Sequence, residues 1–329
     1  MRFTVLIPAL ALLPISAIAG VTESVERHIL PAVENFSQSA QSLSDTAAED
    51  CTAEALRPAY QDIFDNWMGL SHLGFGPLEQ DGRALTIEFW PDPRGMVSRT
   101  VSGLIAEADP IVGDTVGFAD VSIAGRGLMA LERLIYDPEL SDYGPDDYSC
   151  HYVAAIATDL SMIADDIQAD WQEHAKLLLS AGENGNNRYL SPEESSQTLY
   201  TALLSGLAFN ADQRLGRPLG TFDRPRPTRA EAWRSGRPLR NITLSLKAMR
   251  DLAVTMSDTP IPATETAFET ALATAEALDD PLLAGVEEPQ SRLKIEILQQ
   301  QIRTLSEAVQ AEIGGGLGLS AGFNSRDGD

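Results

Sequence analysis

The sequence predicts an all-α protein. Apolar residues recur at helical spacing along most of the chain, and runs of Val, Ile and Thr in strict alternation are nearly absent. A Ser191-Pro192-Glu193-Glu194 start adds a helix N-terminus in mid-chain. Taken in order, a first helix is expected from about Thr22 to Leu43, with Ile29, Leu30, Val33 and Phe36 on one apolar face; Pro31 imposes a bend or a restart. A second covers Ala53 to Leu70, striped by Leu56, Tyr60, Ile63, Phe64 and Trp67. A loop, SHLGFGPLEQDGRALTIEFWPDPRG, then leads to helices near Val97 to Glu107 and Thr115 to Tyr136, and to a long helix from about Tyr148 to Leu179. The segment SAGENGNNRYLSPEE combines Gly, Asn and Ser and is the best linker. Beyond it, helices are expected near Pro192 to Leu215, Arg229 to Ser257, Pro262 to Leu278 and Glu288 to Ile313. Each half reads as a bundle of about four main helices, which suggests an ancient duplication without detectable sequence repeats.

The N-terminus MRFTVLIPALALLPISAIAG has a basic start at Arg2, an apolar run from Val5 to Ile18 and a small-x-small site at Ala17 to Ala19. It predicts a secretory signal over residues 1–19. The run is too short to span a bilayer comfortably, and Pro8 and Pro14 interrupt it. No Cys follows the cleavage site, so no lipid anchor is expected, and no later stretch reads as a transmembrane segment. The expectation is a soluble exported protein with domains at 20–184 and 185–329, because roughly 310 mature residues exceed what one hydrophobic core usually serves. The tail GGGLGLSAGFNSRDGD carries Leu317, Leu319 and Phe323 and is expected to pack over the bundles.

The protein has 2 cysteines, Cys51 and Cys150, which in an oxidising compartment suggests one disulfide. There is no Cys-x-x-Cys pair for redox chemistry, and thiolate zinc is disfavoured with 4 scattered His, namely His28, His72, His151 and His174. A formal charge of −24 repels nucleic acid and anionic lipid at long range, so neither is expected as a partner, and it favours cations or a basic protein. Against that background, Arg214, Arg217, Arg224, Arg226, Arg229, Arg234, Arg237 and Arg240 supply a third of the 24 basic residues within one short segment. Guanidinium forks bind carboxylates or phosphates in a bidentate way, so the cluster either recognises an anion or clamps carboxylates of its own fold. In so acidic a chain the clamp is the stronger expectation.

Several segments together resemble the imelysin family of bacterial cell-envelope proteins: HILPAVENF (His28 to Phe36), W-x-x-L-x-H-L-x-F-G-P (Trp67 to Pro77), FWPDPRG (Phe89 to Gly95), GLMALERLIY (Gly127 to Tyr136) and CHYVAAIATDL (Cys150 to Leu160). RLGRPLG (Arg214 to Gly220), AEAWRSGRPLRN (Ala230 to Asn241) and GLGLSAGFNS (Gly316 to Ser325) continue the match through the second half. The resemblance implies two facing helical bundles, a periplasmic location and a link to iron uptake, with an envelope or outer-membrane iron-uptake protein as partner. It also implies a Gly-x-His-x-x-Glu metal motif, here aligned to Gly127, Met129 and Glu132. Methionine in the histidine position replaces an imidazole with a thioether, which suits Cu(I) better than iron. Met129 and Glu132 are therefore metal candidates, for iron or copper, beside a plainer reading: Met129 as apolar filler and Glu132 paired with a clustered arginine.

A site between two bundles draws on both. Candidates from the first half are His28, Trp90, Asp92 and Glu132; from the second, Arg214, Arg217, Glu231, Arg234 and Ser235. Each has a structural alternative: His28 as a satisfied polar residue at a bundle end, Trp90 as an interface plug, Asp92 as a turn cap, and Glu231 with Arg234 as an intrahelical pair. Arg234 could instead face Glu132 and Asp92 across the interface in a buried network. His72 either reaches a cleft or caps its helix, and Asp159, Asp165, Asp166 and Asp170 read as a solvated face. The leading expectation is a periplasmic, non-enzymatic protein that binds a ligand or partner. The alternatives are a structural protein whose interface is only a polar weld, and a metallopeptidase, which the absence of His-Glu-x-x-His disfavours.

Overall fold

The computed structural model describes residues 16–319, with side chains from Gly20 onward. The expected leader therefore lies outside the described residues except for the backbone of residues 16–19, and Phe323 of the tail lies outside as well. Every regular element among the described residues is helical: α1 (Ser16–Ser24), α2 (Leu30–Glu49), α3 (Ala53–Leu70), α4 (Arg83–Ile87), α5 (Met96–Glu107), α6 (Gly127–Tyr136) and α7 (Tyr148–Leu179) come first. After the connection around residues 180–191 follow α8 (Pro192–Phe209), α9 (Gly216–Leu219), α10 (Pro238–Thr255), α11 (Pro262–Leu278), α12 (Pro289–Val309) and α13 (Gly315–Leu317).

The first helix does not restart at Pro31. Pro31 has no N–H to return to the preceding turn, so α1 runs into α2 through a wide π turn, Val25–Ile29, in which the Leu30 amide donates to the Val25 carbonyl. His28 sits on that turn and is turned inward, rather than at a helix start. A second π turn, Asn210–Leu215, precedes Pro218 and turns Asn210 and Arg214 inward. Both wide turns thus place polar side chains in the interior.

α3 is packed between α2, α6 and α10, α7 lies along α2, and α11 lies along α12. α1 contacts α8 and α10, so the first described helix is built into the second half of the chain. The stripe Leu56, Tyr60, Ile63, Phe64 and Trp67 is buried as the spacing required. Cys51 and Cys150 form the expected disulfide, with Cα atoms 5.2 Å apart, tying the α2–α3 turn to the start of α7. Leu317 and Leu319 pack against the core, as expected of the tail.

Two expected helices are shorter than their apolar spacing suggested. Thr115 to Tyr136 is helical as α6 only from Gly127; before it, 3-10 turns are held by Asp114, which accepts from the Val116 and Gly117 amides, and by Ser122, which accepts from Ala124. The helix expected from Arg229 begins at Pro238, because Ala232 (φ 47°) and Gly236 (φ 75°) adopt left-handed conformations that no helix tolerates. Gly127 starts α6 at φ 68°, and a β-carbon there would lie 2.0 Å from the Thr86 carbonyl oxygen. Gly127→Ala should cost about 3 kcal/mol or more through strain and backbone overlap, read as a lower urea midpoint with an unchanged m-value.

Candidate functional site

A run of buried polar groups, His28, His72, Glu88, Glu231 and Arg214, forms a polar axis in the interior. His28 Nε2 and His72 Nε2 are 3.0 Å apart, so one imidazole donates to the other. Both rings are neutral: burial lowers the His28 pKa to about 4, and burial, then His28 and Arg214, lowers that of His72 well below its usual value. Next along the axis, Glu88 accepts from Trp67 Nε1 at 2.6 Å. Burial and the Glu231 charge raise the Glu88 pKa well above its usual value, which favours the protonated acid that hydrogen-bonds to Glu231. Glu231 remains ionised despite its own burial, because Arg214 holds its pKa down and Asn241 Nδ2 donates to it at 2.6 Å. Arg214 Nε lies 2.9 Å from both Glu231 oxygens, and its Nη1 donates to Asn210 and Ser245, each at 3.1 Å.

The arginine segment is fastened to α3 and α6 by further pairs. Fully buried Arg237 donates to Asn241 Oδ1 at 3.0 Å, to the Gln61 carbonyl at 3.1 Å and to Asp65 Oδ1 at 2.6 Å. Arg240 joins the same carboxylate at 2.7 Å. Arg234 pairs with Asp137 at 3.0 Å, and Arg133 pairs with Asp137 as well. The intrahelical Glu231 to Arg234 pair does not form, since residues 230–236 are turns, and Arg234 meets Asp137 instead of Glu132 or Asp92. Nor does Glu132 pair with an arginine: its Oε1 accepts from the Ser235 amide at 2.9 Å and from Ser235 Oγ at 2.8 Å. Burial raises the Glu132 pKa, and the Ser235 hydrogen bonds oppose that rise.

Beside this frame lies an open cleft of about 370 Å³, lined among others by Trp90, Asp92, Met129, Glu132, Arg217 and Arg234. Six of the sequence candidates are thus brought to one cavity, with Ser235 behind it through Glu132. His28 and Glu231 line neither this cleft nor its neighbour; they belong to the buried axis. The neighbouring cleft, about 620 Å³, is floored by His72, Glu88 and Arg214, and shares only Trp90 and Pro91 with the first. Asp92 is a cap, accepting from the Met96 and Val97 amides at 2.9 and 2.8 Å at the start of α5. The cation of Arg217 lies 5.9 Å from the centre of the Trp90 ring.

The donors at the aligned motif do not fit a metal ion. Met129 and Glu132 bring one thioether and one carboxylate whose Oε1 is already engaged, guanidinium groups line the same cavity, and no cluster of three or more His, Cys, Asp or Glu suited to a metal occurs among the described residues. Sequence reading missed Asp65 and Asp137, which fasten the arginine segment, and Glu88, which joins Trp67 to Glu231. A lone carboxylate inside the apolar run ALTIEFWP was the available signal for Glu88. Asp159, expected on a solvated face, is buried and takes both Nε and Nη2 of Arg126 at 2.9 and 2.6 Å.

The histidine pair makes stability depend on pH. Unfolded histidine titrates near 6.5 while folded His28 titrates near 4, so on acidification the unfolded chain takes up a proton that the folded chain refuses. Stability contributed by this site is present above about pH 6.5 and declines as pH falls towards 4; buried Glu88, whose pKa is raised, acts in the opposite direction. The cost of His28→Asn should therefore shrink by about 2 kcal/mol between pH 7 and pH 5 in paired urea titrations. A pH-independent cost would show that His28 titrates normally.

Comparison with known proteins agrees with this architecture. The family model described as Imelysin matches residues 27–309. The chain is 21% identical over 287 residues to iron-regulated protein A of Synechococcus elongatus, a match that covers 79% of this chain and 74% of that one. An imelysin-like protein from Psychrobacter arcticum 273-4 superposes with a TM-score of 0.77 at 19% identity, covering 96% of this chain and 100% of its own. A putative iron-regulated protein A precursor from Parabacteroides distasonis gives a TM-score of 0.64 at 10% identity, covering 89% and 93%.

Proposed function

Because this chain belongs to the imelysin family, we propose that it is an exported, non-enzymatic binding protein of the cell envelope. Its ligand or partner occupies the cleft beside α6, in a pathway linked to iron. The observation that carries this reading is the cleft itself: a cavity of about 370 Å³ beside the ion-paired arginine segment, lined by Trp90 and Glu132 from the first half of the chain and by Arg217 and Arg234 from the second. Two relatives are named for iron regulation, which supports the pathway. Neither His nor Cys is among the residues lining the cleft, and the motif carboxylate is held by Ser235, so a peptidase reading lacks both a metal site and a positioned base. The second reading, a polar weld without ligand, draws on the Arg214 and Arg237 pairs; it accounts for the closed axis and leaves the cleft without a purpose.

The test is the amount and place of the protein in cells grown with and without an iron chelator. A periplasmic protein that rises on iron limitation is expected. An unchanged amount would remove the iron link, and retention in the cytoplasm would remove export.

A further inference from the structure

Four guanidinium groups line the cleft beside α6, from Arg133, Arg217, Arg229 and Arg234. Their acidic complement is incomplete. Arg133 and Arg234 share one carboxylate, Asp137, while no ion pair joins Arg217 or Arg229 to a carboxylate among the described residues. The two carboxylates that line the cavity are already engaged, Asp92 by the amides that begin α5 and Glu132 by Ser235. Arg133 Nε is buried and has no hydrogen-bond partner among the described residues. Burial, and after it the nearby charge of Arg229, lowers the Arg217 pKa. A chain with a net charge of −24 has no shortage of carboxylates to neutralise such a group, yet leaves these cations unneutralised.

We infer that this cleft takes a small ligand carrying two or more oxyanion groups, one met by the Arg133 and Arg234 side and one by the Arg217 and Arg229 side, with Trp90 and Trp233 as walls. The inference rests on the binding function proposed above and names the chemical class of its ligand. Planar forks match carboxylate and phosphate oxygens alike, so both are sources of the shared chemistry. Four guanidinium groups around one cavity, of which Arg133 and Arg234 share a single carboxylate, favour a ligand with two anionic groups over a single one, and a volume of about 370 Å³ favours a small molecule over a polymer.

Titration calorimetry of the mature chain with citrate, pyrophosphate and acetate, at low and raised salt, tests this. Citrate or pyrophosphate should bind about tenfold or more tightly than acetate, and which of the two binds identifies the source. Added salt should weaken the binding. Arg229 is exposed, so Arg229→Gln should fold normally and weaken binding about tenfold or more, with Arg217→Gln acting alike. Binding by neither anion, equal binding of acetate, or binding that both variants retain would overturn the inference. If instead an uncharged compound from a thermal-shift screen binds and is lost in Trp90→Ala, the anion inference falls while the binding function stands; if nothing binds and Trp90→Ala is silent, both fall.

Discussion

Replacing Arg214 with alanine should destabilise the protein by about 3–5 kcal/mol, the range seen when one partner of a buried pair is removed. The side chain is 4% exposed and Glu231 is 1% exposed, so the carboxylate left behind cannot recover its hydration. Asn210 and Ser245 lose a donor as well, and only Glu88 and Asn241 remain to hydrogen-bond the carboxylate. Equilibrium urea unfolding of the wild type, Arg214→Ala, Glu231→Gln and the double variant would measure the coupling. The double variant should be less unstable than the two single losses added together, because no uncompensated charge remains. A loss under about 1 kcal/mol for Arg214→Ala would show that Glu231 finds another cation or water, and would remove the buried axis as a determinant of stability.

Removing the disulfide should have a comparable effect. Cys51 and Cys150 are separated by 99 residues, and closing so long a loop restricts the unfolded chain by about 4–5 kcal/mol in the chain-entropy model, an upper estimate. A Cys51→Ser, Cys150→Ser variant should lose about 3–4 kcal/mol on the same urea scale. Reductant should lower the wild-type midpoint and leave the variant unchanged. Two free thiols in the untreated wild type, with no response to reductant, would contradict the bond.

The consequence for the arginine segment is a division of labour. Arg214, Arg234, Arg237 and Arg240 are ion-paired, to Glu231, Asp137 and Asp65. The same segment supplies Arg217 and Arg229 to the cleft. A clamp and an anion-facing surface are therefore adjacent parts of one turn-rich stretch, and Arg217 Nε is braced by Gln213 Oε1 at 2.7 Å. That brace lowers the cost of ordering Arg217 around a ligand.

Local features were legible wherever the signal itself is local. The bounds of α3, α7 and α11 agree with the apolar stripes from which they were expected, because 3.6-residue periodicity and, at α11, Pro in the first turn act within one turn. Pro31 announced a perturbation, but not that the helix would widen rather than restart, a choice made by the packing of α1 against α8 and α10. The segments around residues 115–125 and 229–237 carry apolar residues at helical spacing and still turn, because side-chain caps and left-handed residues outweigh weak helix propensity.

By itself, the sequence determined the helical class, the family, the cysteine pair and the presence of an arginine cluster too dense for so acidic a chain. Which carboxylate each arginine meets was decided only by the tertiary structure. Arg234 finds Asp137 and Arg237 finds Asp65 across 97 and 172 residues, and His28 finds His72 across 44. The physical reason is that helix formation depends on neighbours within a turn, whereas the pairing of a buried charge depends on which groups the packed helices exclude from water together.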